Sequence, residues 1–308
     1  MKQKAKNGLQ KKKVCEVQKK NSVPDQKKVV FNLSDNELYL SVMKIQEAHE
    51  IILQILMGDP KLQLKTIHVE DVILNKSGRK SIRLDAYGED QEENRYISEM
   101  QNDTVQDDVR RRSRFYQGLT DAPILKAGRK TRYKNLPDTT ITFITQKDIF
   151  ESDQARYWFS EQCHDPQGME LGDGTRKCFC NMASKNGDLE LVSLLQYMKN
   201  TRRDNPDVVF WSERLKRLHE IVEEVRESEE WEEIYMSAYS EILEIGIQEG
   251  EKRGERRGEK RGEKRGQEKK TREIIASLAE RDFSPGDIAQ IVKVSEKYVR
   301  QQLKKSHR

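Results

Sequence analysis

The sequence predicts an α/β domain that is followed by a long charged helix and a small all-helical module. Three observations predict this organisation: strand-like alternating segments lie between stretches of helical periodicity, a repeat rich in Gly, Glu, Lys and Arg begins near residue 246, and two short helix patterns follow the repeat. The predicted divisions are a basic arm at 1–30, the domain at 31–210, the charged helix at 211–245, a repeat spacer at 246–270 and the module at 271–308.

The first predicted element of the domain is an amphipathic helix over residues 36–57. Its apolar face is formed by five residues close to the a and d spacing of a heptad, Leu38, Val42, Ile45, Ile52 and Leu56. The Gly-Asp-Pro run at 58–60 is predicted to end this helix, because glycine and proline are typical of helix ends.

Three strand-like segments follow this helix. The first is residues 69–74, and the next two are residues 81–87 and 95–101. The stretch between the last two, 88–94, is rich in turn-forming residues, so the pair is predicted to form a hairpin.

Four later segments complete the predicted domain. A basic helix at 107–120 and an alternating strand at 140–146 give the order helix, three strands, helix, strand. Residues 156–159 and 176–181 are predicted to be strands that close the sheet, and a helix is predicted at 189–198.

Two acids and an amide on the predicted hairpin are the candidate catalytic residues. A period of two places Asp85 away from the apolar face of its strand, and it places Glu99 and Gln101 together on one face of the next strand. Mg²⁺ is typically held by one or two carboxylates with water and a substrate phosphate, so Asp85 and Glu99 supply the minimum for a magnesium site. Gln101 is suited to orienting a water molecule but carries no charge. The alternative interpretation is a solvated hairpin face without chemistry.

This arrangement resembles the core of the PD-(D/E)xK nuclease superfamily, and within it the recombination-promoting nuclease or transposase family of bacteria. The resemblance covers residues 36–308. The segments that carry it are Ser-Ile-Arg-Leu-Asp-Ala-Tyr at 81–87, Ser-Glu-Met-Gln at 98–101, Arg-Ser-Arg-Phe-Tyr-Gln at 112–117, Leu-Gly-Asp-Gly-Thr at 171–175 and the charged glycine repeat.

The resemblance implies a restriction-endonuclease-like core, with a central mixed sheet flanked by helices, and Mg²⁺-dependent DNA cleavage that promotes recombination or transposition. Mn²⁺ is the expected substitute metal, and no organic cofactor is expected. In this family Asp85 and Glu99 would be the metal ligands and Gln101 the third catalytic residue. An acid on the first helix would join the metal site, for which Glu47 is the candidate and Glu50, one turn on, the alternative.

A second hypothesis is a catalytically inactive nucleic-acid-binding or scaffold protein that retains the nuclease fold. The two hypotheses share a salt-dependent affinity for DNA, because both rely on contacts between cations and phosphates. They differ in metal-dependent cleavage, which only the nuclease performs.

Composition and charge set limits on the other classes of protein. Of 308 residues, 34% are hydrophobic and 36% are charged, and the net charge is only +4. Positive charge is clustered instead: ten of the first 28 residues are Lys, with no apolar run typical of a signal peptide or a membrane anchor. We therefore expect a cytoplasmic protein with no membrane partner. The arm is interpreted either as a DNA-binding or as a solubilising tail.

The four cysteines of such a protein are expected to be reduced thiols. A zinc interpretation of Cys163, His164, Cys178 and Cys180 is disfavoured by their spacing, so the last two are predicted to be small buried residues of a strand.

The strongest basic cluster in the predicted domain is on the helix at 107–120. Its proposed DNA contacts are Arg110, Arg111, Arg114 and Gln117. Phe115 and Leu119 are predicted to face the core, and Arg114 and Gln117, about one turn apart, the site. The alternative is a surface helix without a ligand.

The C-terminal third contains the repeat and the final module. Glycine recurs every four residues from Gly246 to Gly266, which predicts a flexible charged spacer or, alternatively, close helix pairing. The module resembles a helix-turn-helix in which Lys297, Arg300 and Gln301 would contact DNA, while a docking or homo-oligomerisation module would have a similar pattern.

Overall fold

The computed structural model describes residues 29–75, 77–102, 108–125, 128 and 131–306. Most of the predicted basic arm and Cys15 lie outside these residues. Contacts divide the chain into two units, one that ends at Met236 and one that begins at Ser237.

The first unit is an α/β domain built on a mixed six-stranded sheet with the strand order β1, β2, β3, β4, β8, β5. The strands of this sheet are β1 Thr66–Ile73, β2 Ile82–Glu89, β3 Arg95–Gln101, β4 Thr139–Thr145, β5 Arg156–Phe159 and β8 Thr175–Asn181. Strands β1 to β3 are antiparallel neighbours, β3 with β4 and β4 with β8 are parallel, and β5 is antiparallel to β8. The predicted α/β class is confirmed, and the predicted hairpin is β2 and β3.

Among the described residues, five α-helices lie within the first unit, and a sixth begins in it. They are α1 Asn36–Met43, α2 Gln46–Met57, α3 Val109–Asp121, α4 Leu189–Lys199, α5 Glu213–Arg226 and α6 Glu229–Ala279. The predicted helix at 36–57 is divided into two because Ile45 is extended, with φ −93° and ψ 114°. The predicted end is confirmed: Gly58 closes α2 in the left-handed conformation at φ 71°. The predicted charged helix at 211–245 is also divided, between α5 and α6.

The two faces of the sheet are covered by different helices. On one face, the ring of Tyr116 from α3 lies 5.9 Å from that of Phe143 on β4, which stacks on Phe179 of β8 at 5.8 Å. On the other face, α1 approaches β3, where the Tyr39 hydroxyl donates to Ser98 Oγ at 2.9 Å. Because side chains alternate along a strand, Glu99 and Gln101 lie on the face that α3 covers.

Two further strands, β6 Gln162–His164 and β7 Gln167–Glu170, form a separate small hairpin. Cys178 and Cys180 of β8 are buried as predicted, with their Sγ atoms 3.7 Å apart. Burial raises the pKa of the Cys178 thiol well above its usual range. Across the described ranges, no group of three or more His, Cys, Asp or Glu side chains is placed to hold a metal ion.

The second unit contains the remainder of α6 and two short helices, α7 Pro285–Val292 and α8 Glu296–Ser306. Ser284 caps α7 by accepting a bond from the Asp287 N–H at 3.2 Å. The core of the second unit is formed by Ile275, Ile288, Ala289 and Val299. The glycine repeat lies inside α6, so the structure has a continuous helix where the sequence predicted a flexible spacer.

In the part of the chain that the structure describes, none of the helices combines the length and the apolar composition that are needed to cross a lipid bilayer.

Candidate metal-binding and catalytic site

The candidate site lies where β2 and β3 stop pairing. The backbone ladder between them extends from the Glu89–Arg95 pair to the Ala86–Ser98 pair. At the next position in register the Asp85 N–H donates to Glu99 Oε1 at 2.9 Å, and the Met100 N–H donates to Asp85 Oδ2 at 3.0 Å. Two side-chain carboxylates therefore replace backbone carbonyls as acceptors. The structure brings Asp85 and Glu99 together, as the alternation of both strands predicts.

The two carboxylates are held in a poorly solvated position. Glu99 is 1% exposed, and Asp85 is half-buried. Burial raises the pKa of Glu99 to about 8, with the negative charge of Asp85 as a second cause. Burial also raises the pKa of Asp85. Two adjacent acids, one buried and one half-buried, both resist ionisation and form a site whose charged state a cation would stabilise.

Arg112 of α3 provides the positive charge nearest to this pair. Its Nη1 donates to Gln101 Oε1 at 2.6 Å, and its Nη2 lies 3.4 Å from Glu99 Oε2. The hydroxyl of Tyr116 accepts from Arg112 Nε at 3.0 Å and from Nη2 at 2.6 Å. One guanidinium thus links Glu99, Gln101 and Tyr116, and it fixes the side chain of Gln101 beside the acids.

The helical phase of α3 differs from the prediction. Tyr116 is buried and faces the sheet, whereas Phe115 is 39% exposed, so the prediction that Phe115 packs inward is wrong. Arg112 therefore reaches the site, and Arg114, which was expected to face it, is exposed. Leu119 is half-buried against the core cluster, as expected.

The remaining predicted DNA contacts on α3 form local interactions at the helix surface. Arg110 and Arg111 both pair with Asp108, at 3.6 Å and 3.3 Å. Gln117 Nε2 donates to Asp121 at 2.8 Å.

The first-helix acid is placed in a different cluster. Both oxygens of Glu47 accept from Arg217 of α5, each at 2.9 Å. Glu50 Oε1 accepts from the Leu64 N–H at 2.9 Å. Tyr39 of the same helical region lies on the other face of the sheet, where its hydroxyl donates to Ser98, the neighbour of Glu99.

A third acid that the sequence did not single out lies beside the pair. Glu70 of β1 occupies the register position opposite Asp85, between the Val69–Ala86 and Asp71–Leu84 pairs. Its backbone is left-handed at φ 56°, and its side chain is exposed and 3.3 Å from Arg83. Its negative charge contributes to the raised pKa of Asp85. The signal that identifies it is the strand register, which requires the β1–β2 pairing to be known.

The predicted contacts of the C-terminal module belong to the second unit. Lys297, Arg300 and Gln301 are exposed on one side of α8. The guanidinium of Arg300 is bound to Glu296, with Nη2 at 2.6 Å from Oε1.

Comparisons with models of known protein families, with curated proteins and with solved structures gave no match. The geometry of the site is therefore the basis for a functional assignment.

Proposed function

We propose that this protein is an Mg²⁺-dependent DNA endonuclease with a PD-(D/E)xK core, which cleaves phosphodiester bonds and so promotes recombination or transposition. The observation that carries the proposal is the meeting of Asp85 and Glu99 at the point where β2 and β3 separate. Gln101 and Arg112 lie at the same point, on the face that α3 covers.

The order of elements around the site supports this proposal. Helices α1 and α2 precede three antiparallel strands, and α3 then leads into β4, which is parallel to β3. This is the order helix, three strands, helix, strand that suggested the nuclease core from the sequence.

The chemistry of the acid pair fits Mg²⁺. This ion takes oxygen ligands, retains several water molecules and is commonly bound through one or two carboxylates together with a substrate phosphate. Asp85 and Glu99 would hold it. Glu99 has a pKa of about 8 because it is buried beside another acid, and a divalent cation would offset that repulsion. When bound, the ion would polarise the scissile phosphate and make a water molecule more acidic.

Two side chains next to the acid pair would have further roles in cleavage. Gln101 would orient the attacking water, because Arg112 donates to its oxygen at 2.6 Å and so fixes its side chain beside the acids. Arg112 supplies the positive charge that Gln101 lacks, and it would stabilise negative charge that develops on the phosphate. The exposed Arg110, Arg111 and Arg114 of the same helix would contact flanking phosphates.

The test is nicking of supercoiled plasmid by the purified full-length chain, with Mg²⁺, with Mn²⁺ and with chelator. We expect Mg²⁺-dependent nicking that falls at least about 100-fold in Asp85→Asn and in Glu99→Gln, because each change removes a charged metal ligand. The matched control is Glu92→Gln. Glu92 is an exposed acid in the turn of the same hairpin, and its loss should leave the rate unchanged.

Two outcomes would contradict the nuclease. Nicking that persists in chelator, or equally in both site variants, would not depend on a metal held by Asp85 and Glu99. Salt-dependent plasmid binding without cleavage in either metal would instead support the catalytically inactive nucleic-acid-binding protein.

A further inference from the structure

The second unit ends in a group of three helices that share one core. The last turns of α6 supply Ile275 to this core, α7 supplies Ile288, and α8 supplies Val299. Each of these side chains is at most 1% exposed. Because all three helices pack against one another, the positions of α7 and α8 are fixed by burial as well as by the connection between them.

A turn of three residues, 293–295, joins α7 to α8. Lys293, its first residue, is left-handed at φ 56° and ψ 45°. The N–H of Val294 donates back to the Ala289 carbonyl at 3.1 Å and so closes α7. Ser295 leads into α8, and its Oγ accepts from the Tyr298 N–H at 3.3 Å. Two short helices that are joined by such a turn and packed on a third helix are typical of a helix-turn-helix.

Helix α8 has one side that faces this core and one basic side. The first is formed by the buried Val299 and three half-buried residues, Tyr298, Gln302 and Leu303. At about 100° per residue, four exposed residues project from the opposite side, which we call the basic face: Lys297, Arg300, Gln301 and Lys304. Glu296 lies at one edge of the basic face, where it binds Arg300. The basic face therefore presents three cations and one amide to the surroundings of the unit.

The dimensions of the basic face match the major groove of DNA. A helix rises about 1.5 Å per residue, so Lys297 and Lys304 are about 10 Å apart along the axis of α8. B-DNA rises about 3.4 Å per base pair, so this length covers about three base pairs. The groove is about 12 Å wide and admits one α-helix, with phosphates along both of its walls. A helix with cations on its outward side is complementary to that groove in shape and in charge.

Two residues of the basic face are suited to contacts with base edges. Lys297 and Gln301 are four residues apart within the first two turns of α8, so they are neighbours on its surface. The N-terminal part of the second helix is the part of a helix-turn-helix that contacts bases. A glutamine amide both donates and accepts, so it can bind adenine through N6 and N7 together. Lysine can donate to guanine O6 and N7.

We propose that α7 and α8 form a sequence-reading DNA-binding unit, in which α8 enters the major groove, Gln301 selects an adenine and Lys297 selects a neighbouring guanine. Arg300 and Lys304 contact phosphates on the walls of the groove. The arginines of α3 cannot supply this preference, because contacts with phosphates carry no sequence information. The proposal does not depend on the nuclease activity.

The test is the selection of bound duplexes from a randomised DNA library by the full-length chain. Chelator is present, so that metal-dependent cleavage does not remove the bound DNA, and the salt concentration is about 0.15 M. We expect an enriched sequence that contains an adenine and a nearby guanine. In a titration, the selected duplex should bind at least about 100-fold more tightly than a scrambled duplex of the same composition.

The variant Gln301→Glu should change the preference and not only weaken it. A carboxylate cannot donate to adenine N7, but it accepts from the N4 amino group of cytosine. The enriched sequence should therefore change from adenine to cytosine at one position, and this gain also shows that the variant folds.

Two further variants separate the basic face from the rest of the module. Lys297→Ala should bind the selected duplex at least about 10-fold more weakly and should lose the preference for guanine. Gln290→Ala is the matched control, because Gln290 is an exposed amide of α7, the helix that crosses the DNA backbone in this arrangement. Its enriched sequence should be the same as that of the wild type.

Three outcomes would overturn the proposal. One is DNA binding without any enriched sequence, and another is the same enriched sequence from wild type, Gln301→Glu and Lys297→Ala. The third is a full-length chain that binds no duplex, as expected if the module serves for docking or homo-oligomerisation. Plasmid nicking without an enriched sequence would leave the nuclease and remove the sequence reader, whereas an enriched sequence without nicking would do the reverse.

Discussion

The Glu99→Gln variant tests the electrostatics of the site without any assumption about the substrate. The side chain of Glu99 is 1% exposed, and its pKa is raised from 4.5 to about 8, first by burial and then by Asp85. Between these two values the folded protein holds a proton that the unfolded chain releases. The free energy of unfolding therefore falls as the pH rises from about 4.5 to about 8.

The size of this loss follows from the pKa shift. Each unit corresponds to ~1.4 kcal/mol, so the full shift amounts to about 5 kcal/mol. Because Asp85 is in contact with Glu99, this loss of unfolding free energy is a property of the coupled pair and is not assigned to one residue. Glutamine has no proton to release, so the variant lacks this decline.

The Glu99→Gln substitution also lowers the free energy of unfolding through lost hydrogen bonds. Glu99 accepts from the Asp85 N–H and faces Arg112 Nη2, and the amide nitrogen of Gln cannot accept either donor. Losing one of these bonds costs about 1–3 kcal/mol. The variant should thus be less stable than wild type at pH 5 and more stable by about 2–4 kcal/mol at pH 9.

The assay is urea unfolding in chelator at several pH values, followed by tryptophan fluorescence. All three tryptophans, Trp158, Trp211 and Trp231, lie in the first unit, so the signal reports on that unit. Glu92→Gln is the control and should follow the wild-type curve. If the curves of wild type and Glu99→Gln are parallel from pH 5 to pH 9, Glu99 is ionised in the folded protein and the reasoning fails.

Three other predictions concern Arg112, the buried His49 of α2, and Glu47. Arg112→Ala should lower plasmid nicking about 100-fold. Arg114→Ala, on the exposed side of α3, should change nicking less than about threefold. Equal losses in the two variants would refute the corrected helical phase of α3. Burial lowers the pKa of His49 from 6.5 to about 4. The unfolding free energy of the wild type should therefore fall by about 3 kcal/mol as the pH falls from 7 to 4. The His49→Leu variant should lack this decline in the same urea assay. Glu47→Gln should leave the Mg²⁺ dependence of nicking unchanged, because the Glu47 carboxylate is bound by Arg217; a higher Mg²⁺ requirement would show that Glu47 reaches the metal.

The sequence was sufficient to predict the strands of the site. Alternation with a period of two fixes the side to which each residue points, and a short turn fixes the register of a hairpin. The bounds of β3 agree with the predicted strand at 95–101, and Asp85 meets Glu99 as expected. Local sequence is enough here because a one-residue slip in register would turn every side chain of the strand to the opposite face of the sheet.

The helix that completes the site was not predictable in the same way. The buried side of α3 contains Val109 and Tyr116 but also Ser113 and Thr120, so hydrophobicity alone does not define its phase. These two hydroxyls are satisfied inside the helix: Ser113 donates to the Arg110 carbonyl and Thr120 to the Tyr116 carbonyl, both at 2.8 Å. Polar residues whose hydrogen bonds are satisfied locally are tolerated in the core. The hydrophobic pattern of α3 then favours burial of Phe115, whereas the structure buries Tyr116.

The division of the first helix and the continuity of α6 were missed for opposite reasons. No glycine or proline lies at the extended Ile45, so residue propensity gives no signal for that break. In α6 the six glycines predicted a break that is absent from the structure. Helix propensity is a weak predictor of where a helix ends, and the rest of the structure can override it.

The position of Arg112 has a consequence for how the site works. In a Glu-x-Lys site, the cation would be on the same strand as the acid, two residues away. Here that position is Gln101, and the cation comes from α3 and is bound to both Gln101 and Glu99. Movement of α3 relative to β3 would therefore change the charge balance of the acid pair and the orientation of Gln101 together. Because the arginines that would contact DNA are on the same helix, substrate binding along α3 would act directly on the residue that contacts both Glu99 and Gln101.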